Sequence, residues 1–313
     1  GNIRLFCRRS KNMHFPVSGV DTPIWLPPLV AMVISYFTSM AGVSGAFLIL
    51  PFQMSVLGFV SPAVSGTNLV YNVVAIPSGI YRYFREGRLV WPLTWMVVAG
   101  TGPGVIVGGI IRLSYLPDPK PFKVFVGCVL LYMAVRLMPD VLKARATQQT
   151  GVSNDPANWR VEIREFTCRQ IAFEFQDRTY RCGSAGILIL SLIVGVIGGI
   201  YGIGGGAIIA PFFVAIYGLP VHAVAGAALM GTFVTSILGV AFYQAAGLFY
   251  RSTGMAVTPD WLLGGLFGLG GVVGMYFGAK SQRFVPARWL KVMLMVILFY
   301  VAARYVGEYF EIF

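Results

Sequence analysis

The chain has 313 residues, of which 57% are hydrophobic and only 12% are charged, and its mean hydropathy is +0.73. A soluble domain of this size does not have such a composition, so we expect a polytopic membrane protein. The formal net charge of +12 comes from basic residues that flank the apolar segments, which indicates contact with a membrane surface and disfavours nucleic-acid binding.

Residues 1–25 form a basic tail that carries Arg4, Arg8, Arg9 and Lys11. The tail lacks the apolar core and the small-residue cleavage site of a signal peptide. We therefore expect the first apolar segment to direct insertion into the membrane.

The first apolar segment, Leu26 to Leu57, is interrupted by the sequence Gly42-Val43-Ser44-Gly45-Ala46. Each glycine costs a helix about 1 kcal/mol relative to alanine, so the helix is expected to break here. Lipid does not tolerate exposed irregular backbone, and the break must therefore face protein or a water-filled cavity. Three more spans complete a first unit over residues 26–138. They are Pro62 to Tyr81, Pro92 to Ile111 and Phe122 to Met138.

A polar insert follows at residues 139–183. Its stretch from Thr147 to Asn158 is rich in Gln, Asn, Ser and Asp and is expected to be flexible, whereas alternation within Val161 to Phe175 predicts a short β-hairpin. We interpret the insert as a linker on the cytoplasmic face, with a docking or regulatory role as the alternative. The four cysteines have no metal-binding spacing, and we predict neither a metal site nor a cofactor.

The second unit covers residues 184–306 and precedes a short tail at 307–313. Residues 183–250 contain no Asp, Glu, Lys or Arg, yet Gly202-Ile203-Gly204-Gly205-Gly206 places four glycines in five positions. Pro211 follows this second break as Pro51 follows the first. The predicted spans are Gly186 to Tyr217, broken at these glycines, Val221 to Ala245, Trp261 to Ala279 and Trp289 to Val306.

The two units are related in sequence. A shift of 160 residues aligns Gly42–Gly79 with Gly202–Gly239 without a gap and gives twelve identities in 38 positions. Beyond residue 260 the offset is 168, where Lys123 and Tyr132 meet Lys291 and Tyr300. We predict an all-α membrane fold of two tandem homologous repeats, each with four membrane segments and a glycine-broken first helix, or about eight transmembrane helices. Two broken helices in corresponding places are typical of transporters.

Charge predicts the orientation in the membrane. When every segment is counted as one crossing, seventeen of the 24 Lys and Arg residues fall on one side. The positive-inside rule then places both termini and the insert in the cytoplasm, at the cell (inner or plasma) membrane. Each broken segment, at about 48 Å if helical, exceeds the roughly 30 Å hydrocarbon core. A hairpin that enters and returns is the alternative. It would invert the two units and divide the basic residues fifteen to nine, so charge favours the single crossing.

A helix N-terminus presents unpaired amides and about half a positive charge, so it can hold an anion without Lys or Arg. Two such ends are expected near Ala46 and Ala207. Asn68 and Asn72 lie four residues apart on one face of the next span, where an idle amide would be costly. The candidate substrate-binding residues come from the two breaks and from the spans that follow them. They are Gly42, Ser44, Gly45, Ala46, Asn68, Tyr71, Asn72, Gly204, Gly205, Gly206, Ala207 and Thr232.

The predicted spans contain no Asp or Glu. This pattern disfavours coupling to protons or sodium through a buried carboxylate, and it supplies no catalytic centre for an enzyme. A negative cell interior drives an anion outward by roughly 2.3 kcal/mol per charge per 100 mV. We therefore expect electrogenic, facilitated export by alternating access, with the glycine breaks as both site and hinge.

The Gly-x-Gly-Gly-Gly-x-x-x-x-Pro element at Gly202–Pro211, its degenerate partner at Gly42–Pro51 and the two four-span units resemble the TauE/SafE sulfite exporter family, also called the toluene sulfonate uptake permeases. The resemblance covers nearly all of the chain except the tail and the insert. It implies transport of small sulfur-containing anions, such as sulfite, thiosulfate or organosulfonates. Ser44 and Ala46 depart from the motif, so the two halves of the site are expected to differ chemically.

Two other functions remain open from the sequence. One is an anion channel, which would conduct much faster than a carrier. The other is a membrane scaffold that docks a sulfur-metabolising protein through the insert. The sequence does not choose among the sulfur anions, and it leaves homo-oligomerisation open.

Overall fold

A computed structural model describes residues 12–40, 43–85, 87, 89–143, 161–167, 170–175, 178–219, 221–281 and 287–309. The described chain is mostly helical, with two small antiparallel sheets outside the helical bundle. By length and composition, four of the described helices could cross a membrane. These stretches are Trp91–Ser114, Ser184–Tyr201, Val224–Ser252 and Trp261–Gly278. The architecture is that of a polytopic membrane protein, as predicted.

In the part of the chain that the structure describes, each half contains five helices, and the first half also contains a short β-hairpin. The strands are Asn12–Phe15 (β1) and Val20–Pro23 (β2), and the helices are Leu26–Met40 (α1), Ala46–Ser55 (α2), Ala63–Arg85 (α3), Trp91–Ser114 (α4) and Pro119–Lys143 (α5). Helix α2 begins at Ala46, as predicted from the first glycine break. The hairpin within the basic tail was not predicted.

The second half contains a three-stranded sheet and five more helices. The strands are Glu162–Phe166 (β3), Gln170–Phe175 (β4) and Arg178–Gly183 (β5), and the helices are Ser184–Tyr201 (α6), Gly206–Tyr217 (α7), Val221–Phe249 (α8), Trp261–Ser281 (α9) and Ala287–Tyr309 (α10). Helix α7 begins one residue before Ala207, at the second glycine break. Each helix falls on its predicted segment.

The insert folds into the antiparallel sheet β3-β4-β5. The predicted hairpin is confirmed as β3 and β4, and β5 is a third strand that the alternation pattern did not reveal. Ile171, Phe173 and Phe175 alternate along β4 and are buried. Cys182 of β5 is also buried, and this burial raises the pKa of its thiol. The stretch predicted to be flexible, residues 147–158, lies outside the described residues.

Helix α4 packs along α6 through small residues. Three glycines of α4, spaced four residues apart, lie against backbone carbonyls of α6 that have the same spacing. The pairs are Gly100 with Leu188, Gly104 with Leu192 and Gly108 with Val196. A methyl group at any of these glycines would overlap the facing carbonyl, so the two backbones are in direct contact. Residue numbers rise together along both helices, which means that α4 and α6 are parallel.

Helices α9 and α1 repeat this arrangement. Three glycines of α9, again four residues apart, lie against carbonyls of α1. The pairs are Gly270 with Pro28, Gly274 with Met32 and Gly278 with Tyr36. Helices α9 and α1 are therefore parallel as well.

The direction of α2 follows from these contacts. Gly264 and Gly268 of α9 lie against Thr67 and Val74 of α3, so α3 is parallel to α9 and hence to α1. Because α1 and α3 run the same way, the segment between them that contains α2 must return to the end where α1 began. Gly231 and Gly239 of α8 likewise face Val97 and Val105 of α4, so α6, α4 and α8 share one direction and α7 returns.

The structure therefore has the hairpin arrangement and not the single crossing that the charge count favours. Helices α1, α2, α6 and α7 have 15, 10, 18 and 12 residues, whereas the six other helices have 21 to 29. A 12-residue helix is only about 18 Å long. A pair of such helices fits a segment that enters the bilayer and returns.

The hairpin arrangement also changes the predicted sides of the tail and the insert. The β1–β2 hairpin is held at the start of α9, where Ser18 Oγ donates to Asp260 Oδ2 at 2.8 Å. The Lys123–Glu308 ion pair brings the end of α10 to the start of α5, which is at the same end of the bundle. The insert lies at the opposite end, because the Val161 amide donates to the Gly87 carbonyl in the α3–α4 loop at 3.2 Å. The N-terminal hairpin and the insert do not share the common side that we predicted.

We expect Gly274→Ala to destabilise the protein by about 1–3 kcal/mol, because the added methyl group would overlap the Met32 carbonyl. Gly265, on the same helix, has open space where a methyl group would go and is the matched control. Gly265→Ala should be neutral or should stabilise α9 by up to about 1 kcal/mol. Thermal unfolding in detergent measures both. Equal melting temperatures for the two variants would contradict the close backbone contact between α1 and α9.

Candidate functional site

Asn68 joins the two glycine breaks. Its Nδ2 group donates to the Ala46 carbonyl at 3.0 Å, in the first break, and to the Gly202 carbonyl at 2.8 Å, in the second. Its Oδ1 accepts a long hydrogen bond, 3.5 Å, from Nε2 of Gln53. One amide side chain on α3 thus holds backbone from both halves of the chain. The Gly202 carbonyl is available because Gly202 ends α6, where the last carbonyls have no helical partner, whereas the Ala46 carbonyl belongs to the first turn of α2.

Asn72 makes a second link one turn further along α3. Its Nδ2 group donates to the Ile203 carbonyl at 2.9 Å, and its Oδ1 accepts from Ser44 Oγ at 2.8 Å. Both asparagines are fully buried. Their spacing of four residues places them on one helical face, as the sequence predicts, and both breaks lie against that face.

The second break has a backbone conformation that favours glycine. Gly202 and Gly204 have φ values of +79° and +76°, in the left-handed region. Gly202 ends α6, and its amide donates to the Gly198 carbonyl at 2.8 Å. A Cβ at Gly202 would also lie only 2.6 Å from Cα of Ser65, so the break packs directly on the backbone of α3.

The N-termini of the two short helices face hydroxyl groups near the breaks. The Ala46 amide donates to Ser44 Oγ at 3.3 Å, and the Gly205 amide donates to Thr235 Oγ1 at 3.3 Å. Each α-helix dipole places partial positive charge at these ends. Both helix starts therefore direct amide donors toward neutral oxygen atoms.

The two halves of the site differ in their side chains. Thr232 stands 160 residues after Asn72, but its hydroxyl donates to the Ala228 carbonyl of its own helix at 2.8 Å. It still packs against the second break, since a Cβ at Gly204 would lie 2.9 Å from its methyl carbon. The bridges between the breaks thus come from α3, and α8 contributes packing and the Thr235 hydroxyl.

Tyr71 lies beside the first break. Its hydroxyl is 2.8 Å from Ser35 Oγ, and a Cβ at Gly45 would lie 2.7 Å from the same hydroxyl. Tyr201, on α6, was not among the predicted site residues, and its hydroxyl donates to the Phe47 carbonyl of α2 at 2.7 Å. Gln53 was also not among the predicted site residues. Its position as a lone amide in the apolar helix α2 could have indicated a buried polar contact.

The structure brings most of the predicted site residues together. The residues found at the breaks or against them are Ser44, Gly45, Ala46, Asn68, Tyr71, Asn72, Gly204, Gly205, Gly206 and Thr232. Ala207 lies in the first turn of α7, and Gly42 lies outside the described residues. The side chains named here at the breaks are neutral, and those of Ser44, Asn68, Asn72 and Thr232 are buried.

The buried carboxylate of Asp260 has a structural role. Its Oδ1 accepts from the Leu263 amide at 3.0 Å and caps the start of α9, while its Oδ2 accepts from the amide and hydroxyl of Ser18. Its own amide donates to Thr67 Oγ1 at 2.9 Å. The carboxylate thus connects the N-terminal hairpin to α9, and the backbone amide of Asp260 adds a link to α3.

The part of the chain that contains both breaks is similar to known proteins. The model of the family described as sulfite exporter TauE/SafE matches residues 28–305. This range includes both breaks and all of the described helices, apart from the first residues of α1 and the last residues of α10. A protein of Bacillus subtilis (strain 168) named probable membrane transporter protein YunE is 27% identical over 189 residues. That match covers 58% of this chain and 64% of the relative, so the chain spans less than two thirds of that protein's length. No solved structure matches the chain.

Proposed function

Because the chain belongs to the sulfite exporter TauE/SafE family, we propose that it transports small sulfur-containing anions, such as sulfite, thiosulfate or organosulfonates, across the cell membrane. The family match spans most of the chain, and the name of the Bacillus relative indicates membrane transport. The family description, which names sulfite, supports a small sulfur-containing anion as the substrate.

The observation that carries the proposal is the pair of buried asparagines that bridges both glycine breaks. Irregular backbone inside a bilayer is tolerated where it is enclosed by protein or lines a cavity. Here two breaks meet at one face of α3, and both present helix N-termini. An anion that takes the place of the Ser44 and Thr235 hydroxyls would meet amide donors from both helices.

We also propose that α1–α5 and α6–α10 are two copies of one unit in inverted orientation. The contact of α4 with α6 has its counterpart in the contact of α9 with α1. The offset for α4 and α9 is 170 residues and not the 168 expected for the whole region beyond residue 260: Trp91 corresponds to Trp261, and the three contact glycines of α4 correspond to those of α9. Gly79 and Gly239 place α3 antiparallel to α8, because Gly79 faces Leu229 and Gly239 faces Leu69. Such inversion is typical of carriers that work by alternating access.

The orientation follows from charge once the hairpins are taken into account. By sequence position, fifteen of the 24 basic residues then lie at the end of the bundle that carries the insert. We place that end in the cytoplasm by the positive-inside rule. The N-terminal hairpin and the end of α10 are then on the outer side. This assignment replaces the cytoplasmic termini expected from single crossings.

Transport is then driven by the membrane potential. No carboxylate is found among the described side chains named at the breaks, which disfavours coupling through a carboxylate that binds a proton or sodium. A dianion that leaves a cell at 100 mV, negative inside, gains about 4.6 kcal/mol. The burial of Ser44, Asn68, Asn72 and Thr232 at the breaks supports a carrier rather than an open pore.

The test is efflux of radiolabelled sulfite from proteoliposomes with a defined potential, alongside thiosulfate, sulfoacetate, taurine, sulfate, acetate and chloride. We expect selective flux of one or more sulfur anions that increases when the side from which the anion leaves is negative. Gly205→Leu is the loss control, because a side chain there would overlap Thr101. Flux of acetate alone, or of no anion, would contradict the proposed substrate class.

The same assay separates two details of the mechanism. Sulfite efflux that is unchanged when the potential is collapsed would remove the electrogenic step and leave the substrate class intact. Single-molecule conductance far above carrier turnover would replace the carrier by an anion channel.

A further inference from the structure

Among the described residues, Arg112 is a buried cation without a counter-ion at bonding distance. It lies near the end of α4 and is fully buried, and it is among the largest fully buried side chains of the described chain. None of its three guanidinium nitrogens has a hydrogen-bond partner within the described residues. Its guanidinium carbon lies 3.7 Å from the centroid of the Phe122 ring on α5. A cation–π contact of this kind stabilises the charge over the ring face but leaves the N–H groups at the guanidinium edge free.

Among the described residues, the hydroxyl groups of Tyr243 and Ser65 also lack a partner at strict hydrogen-bond distance. Tyr243 of α8 interacts electrostatically with Arg112, and Ser65 of α3 lies near the Tyr243 hydroxyl. Both hydroxyl-bearing residues are buried, and in the part of the chain that the structure describes neither hydroxyl has a partner at strict hydrogen-bond distance, although the two interact with each other from slightly farther away. The nearest carboxylate that acts on Arg112 is Asp118, which is exposed in the α4–α5 turn and does not reach a guanidinium nitrogen.

This cluster adjoins the second glycine break. The ring of Tyr243 packs on α3, since a Cβ at Gly66 would lie 3.2 Å from its Cβ. Ser65 is the residue against which Gly202 packs, at 2.6 Å from the Gly202 Cβ position. Tyr243 and Ser65 therefore pack between the second break and the part of α8 that lies against the end of α4, and Arg112 interacts with Tyr243 electrostatically. The cluster lies between the breaks and the end of the bundle at which α4 and α8 finish.

An unpaired cation and unpaired hydroxyls at one buried place are costly unless an anion joins them. A guanidinium fork binds two oxygens of one oxyanion, and hydroxyls donate to the others. We propose that Arg112, Tyr243 and Ser65 form a binding station for a small oxyanion between the glycine breaks and the outer end of the bundle. This proposal rests on the proposed function: the exported anion would bind at the station after it leaves the glycine breaks and before it is released.

The test uses the full chain, purified in neutral detergent free of lipid, with thermal unfolding recorded against sulfite, sulfate and inorganic phosphate. Arg112→Met keeps an unbranched apolar stem and removes the charge. Without anion, its melting temperature should equal or exceed that of wild type, because a buried unpaired charge is removed. With anion, the half-maximal shift should need roughly tenfold more anion or be absent. Arg251→Met, an exposed charge at the same end of the bundle, should respond like wild type.

Tyr243→Phe provides an independent variant that keeps the ring and removes one hydroxyl. A several-fold weaker anion response in this variant supports the station even if Arg112→Met does not fold. An anion response in Tyr243→Phe and Arg112→Met equal to that of wild type would overturn the station while leaving the proposed function in place. A wild-type shift with sulfate or phosphate but not with sulfite would support the station and remove sulfite as the substrate. No wild-type shift with any anion would overturn the station.

The phosphate of an anionic lipid has the same chemistry as a free oxyanion. A parallel measurement adds phosphatidylglycerol to the detergent in place of the free anions. A shift of the wild-type melting temperature that occurs with this lipid and with none of the free anions would overturn the proposal of a small oxyanion.

Discussion

Asn68→Asp is expected to reduce anion flux by at least a hundredfold, which is the largest effect of any single substitution considered. Asn68 donates two hydrogen bonds, to the Ala46 and Gly202 carbonyls. An aspartate of the same shape has only acceptor oxygens to offer these carbonyls. Each buried carbonyl that loses its donor costs about 1–3 kcal/mol, and the new negative charge repels an anion at the breaks. Proteoliposome efflux and thermal unfolding measure the two consequences separately.

Two further variants separate the effect of the lost hydrogen-bond donors from the effect of the added charge. Asn68→Leu removes the donors without adding charge, so it should lower the melting temperature and reduce flux less severely than aspartate does. Ser78→Ala, on the same helix, removes a hydroxyl that only bonds the Ala75 carbonyl and should leave flux unchanged. Normal flux in Asn68→Asp would show that the link between the breaks is dispensable for transport.

Gly202→Ala should reduce flux by more than tenfold and lower stability by about 2–4 kcal/mol. Alanine in the left-handed region costs roughly 1–2 kcal/mol, and the overlap with the Ser65 backbone costs about 1–3 kcal/mol more. Both effects push the second break away from α3. The hydrogen bonds from Asn68 to Gly202 and from Asn72 to Ile203 would then lengthen.

Gly218 is the matched control for this substitution. It has a φ of +62° and open space where a Cβ would lie. Gly218→Ala therefore carries the conformational cost without the overlap, and flux should stay close to that of wild type. If the two alanine variants lose flux to the same degree, backbone conformation alone and not contact with α3 accounts for the effect.

The positions of the breaks could be predicted from sequence because glycine density and helix propensity are local properties. Helix α2 begins at Ala46, and the break at Gly202–Gly205 separates α6 from α7. Asn68 and Asn72 could be placed on one face of a helix for the same reason. Their partners could not be identified, because the Gly202 and Ile203 carbonyls are more than 130 residues away in the chain.

The direction of the short helices could not be obtained from charge. The positive-inside rule compares loops, and a segment that returns within the bilayer changes which loops are compared. The informative signal was the spacing of Gly100, Gly104 and Gly108 and its repetition in α9, because such glycines identify backbones in close contact. Arg112 was missed for a simpler reason. The predicted span ended at Ile111, which placed the arginine outside the apolar segment.

The contact between α1 and α9 has a consequence for how the protein is made. About 220 residues separate the end of α1 at Met40 from the start of α9 at Trp261. At a synthesis rate of about 5–20 residues per second, roughly 10–40 seconds pass between the synthesis of α1 and that of α9. During this time the α1 carbonyls that contact α9 in the folded protein have no partner helix. At 15 residues α1 is too short to span the bilayer unaided. The entry helix of the first half must therefore be sheltered by the insertion machinery or remain at the interface until nearly the whole chain has been synthesised.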